Sequence, residues 1–383
     1  MEDIDRHDAR KVARRIQRER ARTSEALRWI TERGAQDFGR NAPNRLRGLA
    51  GVEALLQKSW EVRFDDPHEM VFRAGIAAGW AQTLDPKRYG AAFVRDVQGH
   101  ALIELGNAYR VVEELETAQK LLDEAVRVIQ EGTGDELLEV RLCDVQASLH
   151  ADRRFFTASC EALDAVHAIH ERRGDGHLAG RALVSKSLYA MYQGNIPEAE
   201  ELIRRGLELI DKDREPSVVH CAVHNLLILM IEQDRFQEAR KQLFLHRRHM
   251  ATLGEIQLLK LRAVEGRIAF GLGNLNQAET TFRELRQSFE GEGLGYSAAL
   301  ATLELAAVLQ RAGRDTEMFD LVVEASDAFV SLGVQRESLG AMLVLRKASE
   351  EGVATPNLLL STIRFLIRAE GNPDLKAEDF LVP

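Results

Sequence analysis

The side chains best suited to chemistry are scattered along the chain rather than grouped. His220 and His224 are four residues apart, which puts both on one face of a helix. Two imidazoles do not complete a zinc site, and Cys221 between them points elsewhere. His167 with His170, and His246 with His249, are equally bare of further ligands. Cys143 and His150 lie two helical turns apart and have no third residue to orient the imidazole. Cys143, Cys160 and Cys221 show no Cys-x2-Cys spacing. Gly291-Glu292-Gly293-Leu294-Gly295 is rich in glycine but lacks the strand-loop-helix context of a phosphate cradle, and no Gly-x-Ser-x-Gly elbow occurs. The chain is therefore expected to bind no metal and no cofactor and not to be an enzyme.

The elements that carry these residues are helices. Apolar positions recur at three and four, as in Leu121-Leu122, Ala125 and Val128-Ile129. Alternating β-branched runs with Asn-Gly or Asp-Gly turns are missing. The 383 residues are 45% apolar and 29% charged, enough apolar content to exclude wholesale disorder. Three cysteines fit a reducing cytoplasm, the expected location. The longest purely apolar run, Leu226 to Ile231, is too short to span a bilayer, and the charged N-terminus lacks the apolar stretch of a secretory signal, so none is expected. The formal charge is −9, and the Ala- and Arg-rich composition looks bacterial.

A repeat organises the helices. Leu102, Leu105-Gly106 and Tyr109 are followed by Ala118, Leu122 and Ala125. With Ala118 as marker, copies fall at Ala158 (with Ala162 and Ala165), Ala199 (Ile203, Gly206), Ala239 (Leu243), Ala278 (Phe282, Leu285) and Met318 (Val322, Ala325), spaced 40, 41, 40, 39 and 40 residues apart. Gly194-Asn195-Ile196-Pro197 and Gly273-Asn274-Leu275-Asn276 form the turn before two of the markers. There Gly is expected to end one helix in a left-handed conformation and Asn to cap the next. Asp66-Pro67 with Ala74, Ala78 and Ala81 forms a weaker earlier copy.

These residues resemble the tetratricopeptide repeat (TPR) family, in an extended-hairpin bacterial form. The period exceeds the family's usual ~34 residues and also suits HEAT or armadillo repeats, but the Gly106, Tyr109 and Ala-x3-apolar signatures favour TPR. The resemblance implies an all-α, right-handed superhelical α-solenoid of about eight TPR-like helical hairpins. The expected divisions are a basic N-terminal helix and linker (1–45), a solenoid (46–369) and a tail (370–383). Repeats are expected near 46–84, 91–130, 137–171, 178–211, 217–250, 256–290, 296–331 and 336–369.

The family's groove-facing positions, carried over repeat by repeat, select thirty residues, of which eighteen are apolar, five are Lys or Arg, three are His and only Glu232 is acidic. The second copy supplies Val140, Cys143, Ala147, His150 and Ala151. The polar and aromatic members expected to meet a partner are His100, Asn107, Arg110, His150, Arg181, Tyr192, His224, Lys260, Arg267, Phe270 and Arg311. An apolar groove with basic spots suits a protein or peptide of acidic and apolar character. The expected function is a non-catalytic scaffold or adaptor. The alternatives are a peptide- or ligand-sensing bacterial regulator and an accessory subunit of a nucleoprotein or defence complex. Nucleic acid is expected only through the basic helix 9–22, which holds seven Lys or Arg and one acid.

Overall fold

The computed structural model describes residues 2–63, 65–246 and 254–371, with side chains placed for 10–63, 65–246 and 254–369. The described residues form helices and no strand. The chain divides into two compact units, Met1–Gln193 and Gly194–Pro383. His249 and most of the expected tail, residues 372–383, lie outside the described residues.

The first unit begins with α1 (Glu2–Arg20), α2 (Thr23–Arg33) and α3 (Ala35–Asn41), followed by a 3-10 turn at Asn44–Leu46. Then come α4 (Leu49–Glu61), α5 (Pro67–Gln82), the short α6 (Pro86–Tyr89), α7 (Ala91–Val111), α8 (Leu115–Gln130), α9 (Glu136–Asp152), α10 (Phe156–Arg172) and α11 (Gly176–Tyr192). The second unit holds α12 (Ile196–Leu209), α13 (Pro216–Glu232), α14 (Phe236–His246), α15 (Glu255–Gly271), α16 (Leu275–Gly291), α17 (Gly295–Arg311), α18 (Asp315–Ser331), α19 (Arg336–Glu350) and α20 (Pro356–Gly371). Consecutive helices pair: α7 with α8 and α9 with α10 in the first unit, α15 with α16 and α17 with α18 in the second. The Asp66 carboxylate caps α5 by accepting from the Glu69 N–H at 2.9 Å, and Pro67 follows at a position where its missing N–H costs nothing.

The basic stretch 9–22 falls on α1 as far as Arg20. The helix breaks at Ala21-Arg22, so Val12 and Ile16 on α1 are separate from Ala26 and Ile30 on α2. The single acid of residues 9–22 is the anchor: Glu19 is buried, accepts from the Tyr89 hydroxyl at 3.0 Å and pairs with Arg88. The seven basic residues around it are all exposed.

The turn inside each hairpin needs one residue with positive φ. Glu113, Arg154, Gly194, Asp234, Gly273 and Gly313 fill that slot with φ of 64, 62, 76, 56, 82 and 75°, at intervals of 41, 40, 40, 39 and 40 residues. Half of them therefore carry a Cβ where glycine would be unstrained. Asn195 and Asn274 stand at the helix start as expected but make no side-chain cap; the Ile196 and Leu275 N–H groups instead reach back to the Gly194 and Gly273 carbonyls at 3.0 and 2.9 Å.

These turns also correct the alignment of the second copy. Arg154 places its turn one residue late, and the buried set is Ser159, Leu163 and Val166, whereas Ala158, Ala162 and Ala165 are only half-buried. Small and apolar residues occur in both registers here, and the larger Leu163 and Val166 win the core because they bury more apolar surface. The first helix shifts with its partner. By the same register, the positions expected at the groove become Arg141, Asp144, Ser148, Ala151 and Asp152, and His150 falls outside them.

Among the described residues of the second unit, α20 covers part of α17. α20 packs on α17, where Leu359, Ile363 and Leu366 join the same core as Leu300, Leu303 and Ala307. The Tyr296 hydroxyl donates to the Leu366 carbonyl at 2.8 Å, and the Gln310 amide to the Ala354 carbonyl at 3.1 Å. Groove-facing residues assigned to the sixth copy are thus occupied by the chain's own last helix.

Two predictions follow from strain and burial. Glu113→Gly is expected to raise stability by about 0.5–1 kcal/mol by releasing a left-handed non-glycine residue, measured by chemical denaturation followed by circular dichroism. Glu19→Gln is expected to cost about 1–3 kcal/mol locally and to speed hydrogen exchange over residues 10–20. Unchanged exchange there would show that Glu19 does not hold α1.

Candidate functional site

In the first unit the helices α4, α7 and α9 present one continuous charged and aromatic face. The Trp60 ring is 43% exposed, and the guanidinium groups of Arg63 and Arg141 lie 4.2 and 5.0 Å from its centroid. Arg141 also donates from Nε and Nη2 to the two Glu104 oxygens at 2.6 and 2.8 Å. His100 Nε2 approaches the same carboxylate at 3.5 Å. Burial would raise the Glu104 pKa, but Arg141 and His100 outweigh it and hold the carboxyl down to about 2. Two adjoining cavities of about 380 and 360 Å³ open beside this cluster, bordered by Leu56, Trp60, His100 and Arg141, and by Phe93 and Leu138.

Further along the same helices Arg110 joins Asn107 to Asp152. Its Nη1 donates to Asp152 Oδ2 at 2.7 Å and its Nε to the buried Asn107 Oδ1 at 3.1 Å. Phe156 stacks 6.3 Å from Tyr189 and 5.4 Å from Tyr192. Burial, with the Asp152 charge second, pushes the Tyr189 hydroxyl up to about 12, and burial also raises Tyr192. Arg181 is exposed and its charge bears on Asp144, whose pKa burial raises against the pull of Arg141 and Arg181. The structure thus joins Asn107 to Arg110 and sets His100 beside Glu104 and Arg141. It places His150 off this face, where the charges that bear on its ring include Asp123 on α8 and Glu161 on α10.

The second unit has a narrower site. Arg267 on α15 pairs with the buried Glu304 on α17. Arg311 donates from Nη1 to the Phe270 carbonyl at 3.0 Å, and its guanidinium lies 5.2 Å from the Phe270 ring centroid. Arg364 on α20 reaches Asp234 at 2.7 Å. Between α20 and the helices α13 to α17 lies a cavity of about 260 Å³, with Arg267, Phe270 and Arg311 on its border. His224 sits nearby as a half-buried ring 5.9 Å from His220, while Lys260 is exposed.

Of the residues expected at the groove, Arg267, Phe270 and Arg311 border one cavity, which Glu304 and Arg364 also line, while Trp60, Glu104 and Arg141 line one in the first unit. Arg141 was hidden by the register of the second copy. Glu104 and Glu304 each follow an apolar residue expected at the groove, Ile103 and Leu303, both of which are buried, and read as ordinary helix surface in the sequence.

His224 gives the site a pH signature. Burial, then the Arg267 charge, His220 and Lys260, push its pKa from 6.5 down to about 4. Between these values the unfolded chain binds a proton that the folded chain refuses, so stability falls as pH drops from about 6.5 to about 4. Burial lowers His150, His170 and His220 in the same direction, whereas burial raises the Glu232 carboxyl and so acts oppositely. His224→Gln is expected to flatten the loss between pH 6.5 and 4 without abolishing it. Denaturant titrations at pH 7, 5.5 and 4.5 measure this, and an unchanged slope would count against the burial argument.

No family model and no curated protein sequence matches the chain. Solved structures do match in fold. Aspartyl phosphate phosphatase F from Bacillus subtilis is 10% identical, with a TM-score of 0.55 over 79% of this chain and 73% of that one. The apo form of the quorum sensor NprR from B. thuringiensis is 14% identical, with a TM-score of 0.56 over 86% of this chain and 84% of that one. A Rap protein complexed with competence and sporulation factor is 13% identical, with a TM-score of 0.53 over 86% and 89%. At such identities the likeness speaks to fold alone: the chain has the all-α fold of TPR-like helical-repeat proteins.

Proposed function

We propose that the protein is a non-catalytic, TPR-type interaction protein that binds a peptide or protein segment on the first helices of its hairpins. The observation that carries this reading is the pair of preformed clefts on those faces, one in each unit, each combining exposed or half-buried aromatic residues with arginines. Aromatic and arginine side chains of this kind dominate binding energy where a partner excludes water from them. The solved neighbours favour a sensor over a passive scaffold, since one is named a quorum sensor and another is held with a signalling factor. Bound in this way, a peptide would shift the chain between conformations in proportion to its differential affinity for them.

The acidic and apolar partner suggested by the sequence is best supported in the second unit. There Arg311 is exposed and makes no ion pair among the described residues. The first-unit face is mixed, because Asp144 and Asp152 enter it with the corrected register.

Co-purification with mass spectrometry identifies the partner. Trp60→Ala and Arg141→Gln in the first unit, and Phe270→Ala in the second, then test the faces. Loss of at least tenfold in affinity is expected from one of these sets. A partner indifferent to all three substitutions removes the reading, as does turnover of an aspartyl phosphate substrate by the purified chain. Small-angle scattering separates the two forms: compaction with the partner peptide supports the sensor, and an unchanged profile supports the scaffold.

A further inference from the structure

We infer that the cleft under α20 is a pocket for one large apolar side chain of a peptide, with a carboxylate beside that side chain meeting Arg311 and Arg364. This rests on the peptide-binding reading and gives it a ligand class and a place.

Size sets the first limit. The cleft holds about 260 Å³. An apolar cavity of ~150 Å³ accepts benzene, and sites for drug-sized ligands start near ~300 Å³. The space therefore matches a single aromatic or branched side chain rather than a folded element. Its walls are apolar on both sides: Ile231, Phe236 and Phe270 from the repeats face Ile363 and Ile367 from α20 across Ala307.

Charge sets the second limit. The Arg267–Glu304 pair in the lining is already matched and buried, so it adds no net charge. Among the described residues Arg311 has only a carbonyl and an aromatic ring as partners, both of which leave its positive charge uncompensated. Arg364 is held by Asp234, but their side chains are 39% and 67% exposed, and exposed pairs of this kind are weak. A ligand carboxylate can displace Asp234 from Arg364 at little cost. A cationic ligand would meet two arginines at the same rim.

The wall formed by α20 is fixed. One of its faces is buried on α17 through Leu359, Ile363 and Leu366, and another packs on α19 through Phe365. Leu360, Arg364 and Ile367, spaced four and three apart, form the remaining stripe and look into the cleft. Entry therefore depends on the Arg364–Asp234 side chains and not on displacement of the helix.

The test uses the full chain with two probes, N-acetyl-L-phenylalanine and its neutral amide, titrated by saturation-transfer NMR. The acid is expected to bind about two- to fivefold more tightly than the amide. Arg311→Gln is expected to remove that preference. Asp234→Asn releases Arg364 and suits the positive φ of 56° at that residue, so it is expected to strengthen the acid by a similar factor. Ala307→Leu fills the cleft and is expected to weaken both probes at least tenfold, with a thermal melt confirming that the variant is folded. Equal affinity for acid and amide overturns the pocket. So does binding that Ala307→Leu leaves unchanged in a folded variant, or no binding of either probe. A natural partner released by Trp60→Ala but not by Arg311→Gln also overturns the pocket while leaving the broader peptide-binding reading intact.

Discussion

The architecture depends on how closely the two helices of a hairpin approach each other. A Cβ on Gly106 would lie 3.0 Å from Leu122, and one on Gly266 would lie 2.9 Å from Phe282. Opposite these glycines, Ala118 and Ala278 are fully buried. A side chain at either glycine would press on Leu122 or Phe282, both of which are themselves buried and closely packed. The crossing fixes which face of each first helix points inward to its partner. It thereby also fixes which face is left for other contacts. A hairpin of this kind cannot bury its apolar surface alone, so neighbouring hairpins supply the remaining core.

On the face left over, charge is organised between neighbouring first helices. Arg110 to Asp152 and Arg141 to Glu104 link α7 with α9, and Arg267 to Glu304 links α15 with α17. Each pair joins successive repeats, so it reports on their register more than on the stability of either one. Where one partner is buried, as Glu104 and Glu304 are, attraction gives back much of what desolvation costs, and the clearest use of such a pair is to specify one arrangement over others. The net charge of −9 therefore says little about the binding face. What counts is which charges remain uncompensated after this internal pairing, and in the second unit Arg311 is one of them.

This separates what the sequence makes legible from what it does not. The repeat period, the turn glycines and the buried markers Ala118, Ala199 and Ala278 are local features, and a single chain displays them directly. Ser159 is harder, because Ala158 next to it satisfies the same pattern; only the packing of Leu163 and Val166 decides between them. Glu19 looks like an interruption in a basic stretch, yet it is buried and ties α1 to Arg88 and Tyr89, about seventy residues away. Glu304 and Arg364 were hidden for the same reason. Their roles come from contacts across repeats, and no spacing within one repeat encodes them.

The last helix shows how such a non-local contact changes function. An array of repeats leaves the same face open on every first helix, which gives an extended surface but no enclosed pocket. α20 packs on the α17 face, where Leu359, Ile363 and Leu366 share a core with Leu300 and Leu303. The same step builds a second wall opposite Phe236 and Phe270. A surface that would otherwise solvate any ligand on one side now encloses it on two, and the lower effective dielectric strengthens the hold of Arg311 and Arg364 on a carboxylate. The cleft in this unit thus takes one wall from α20 and the other from the helices α13 to α17.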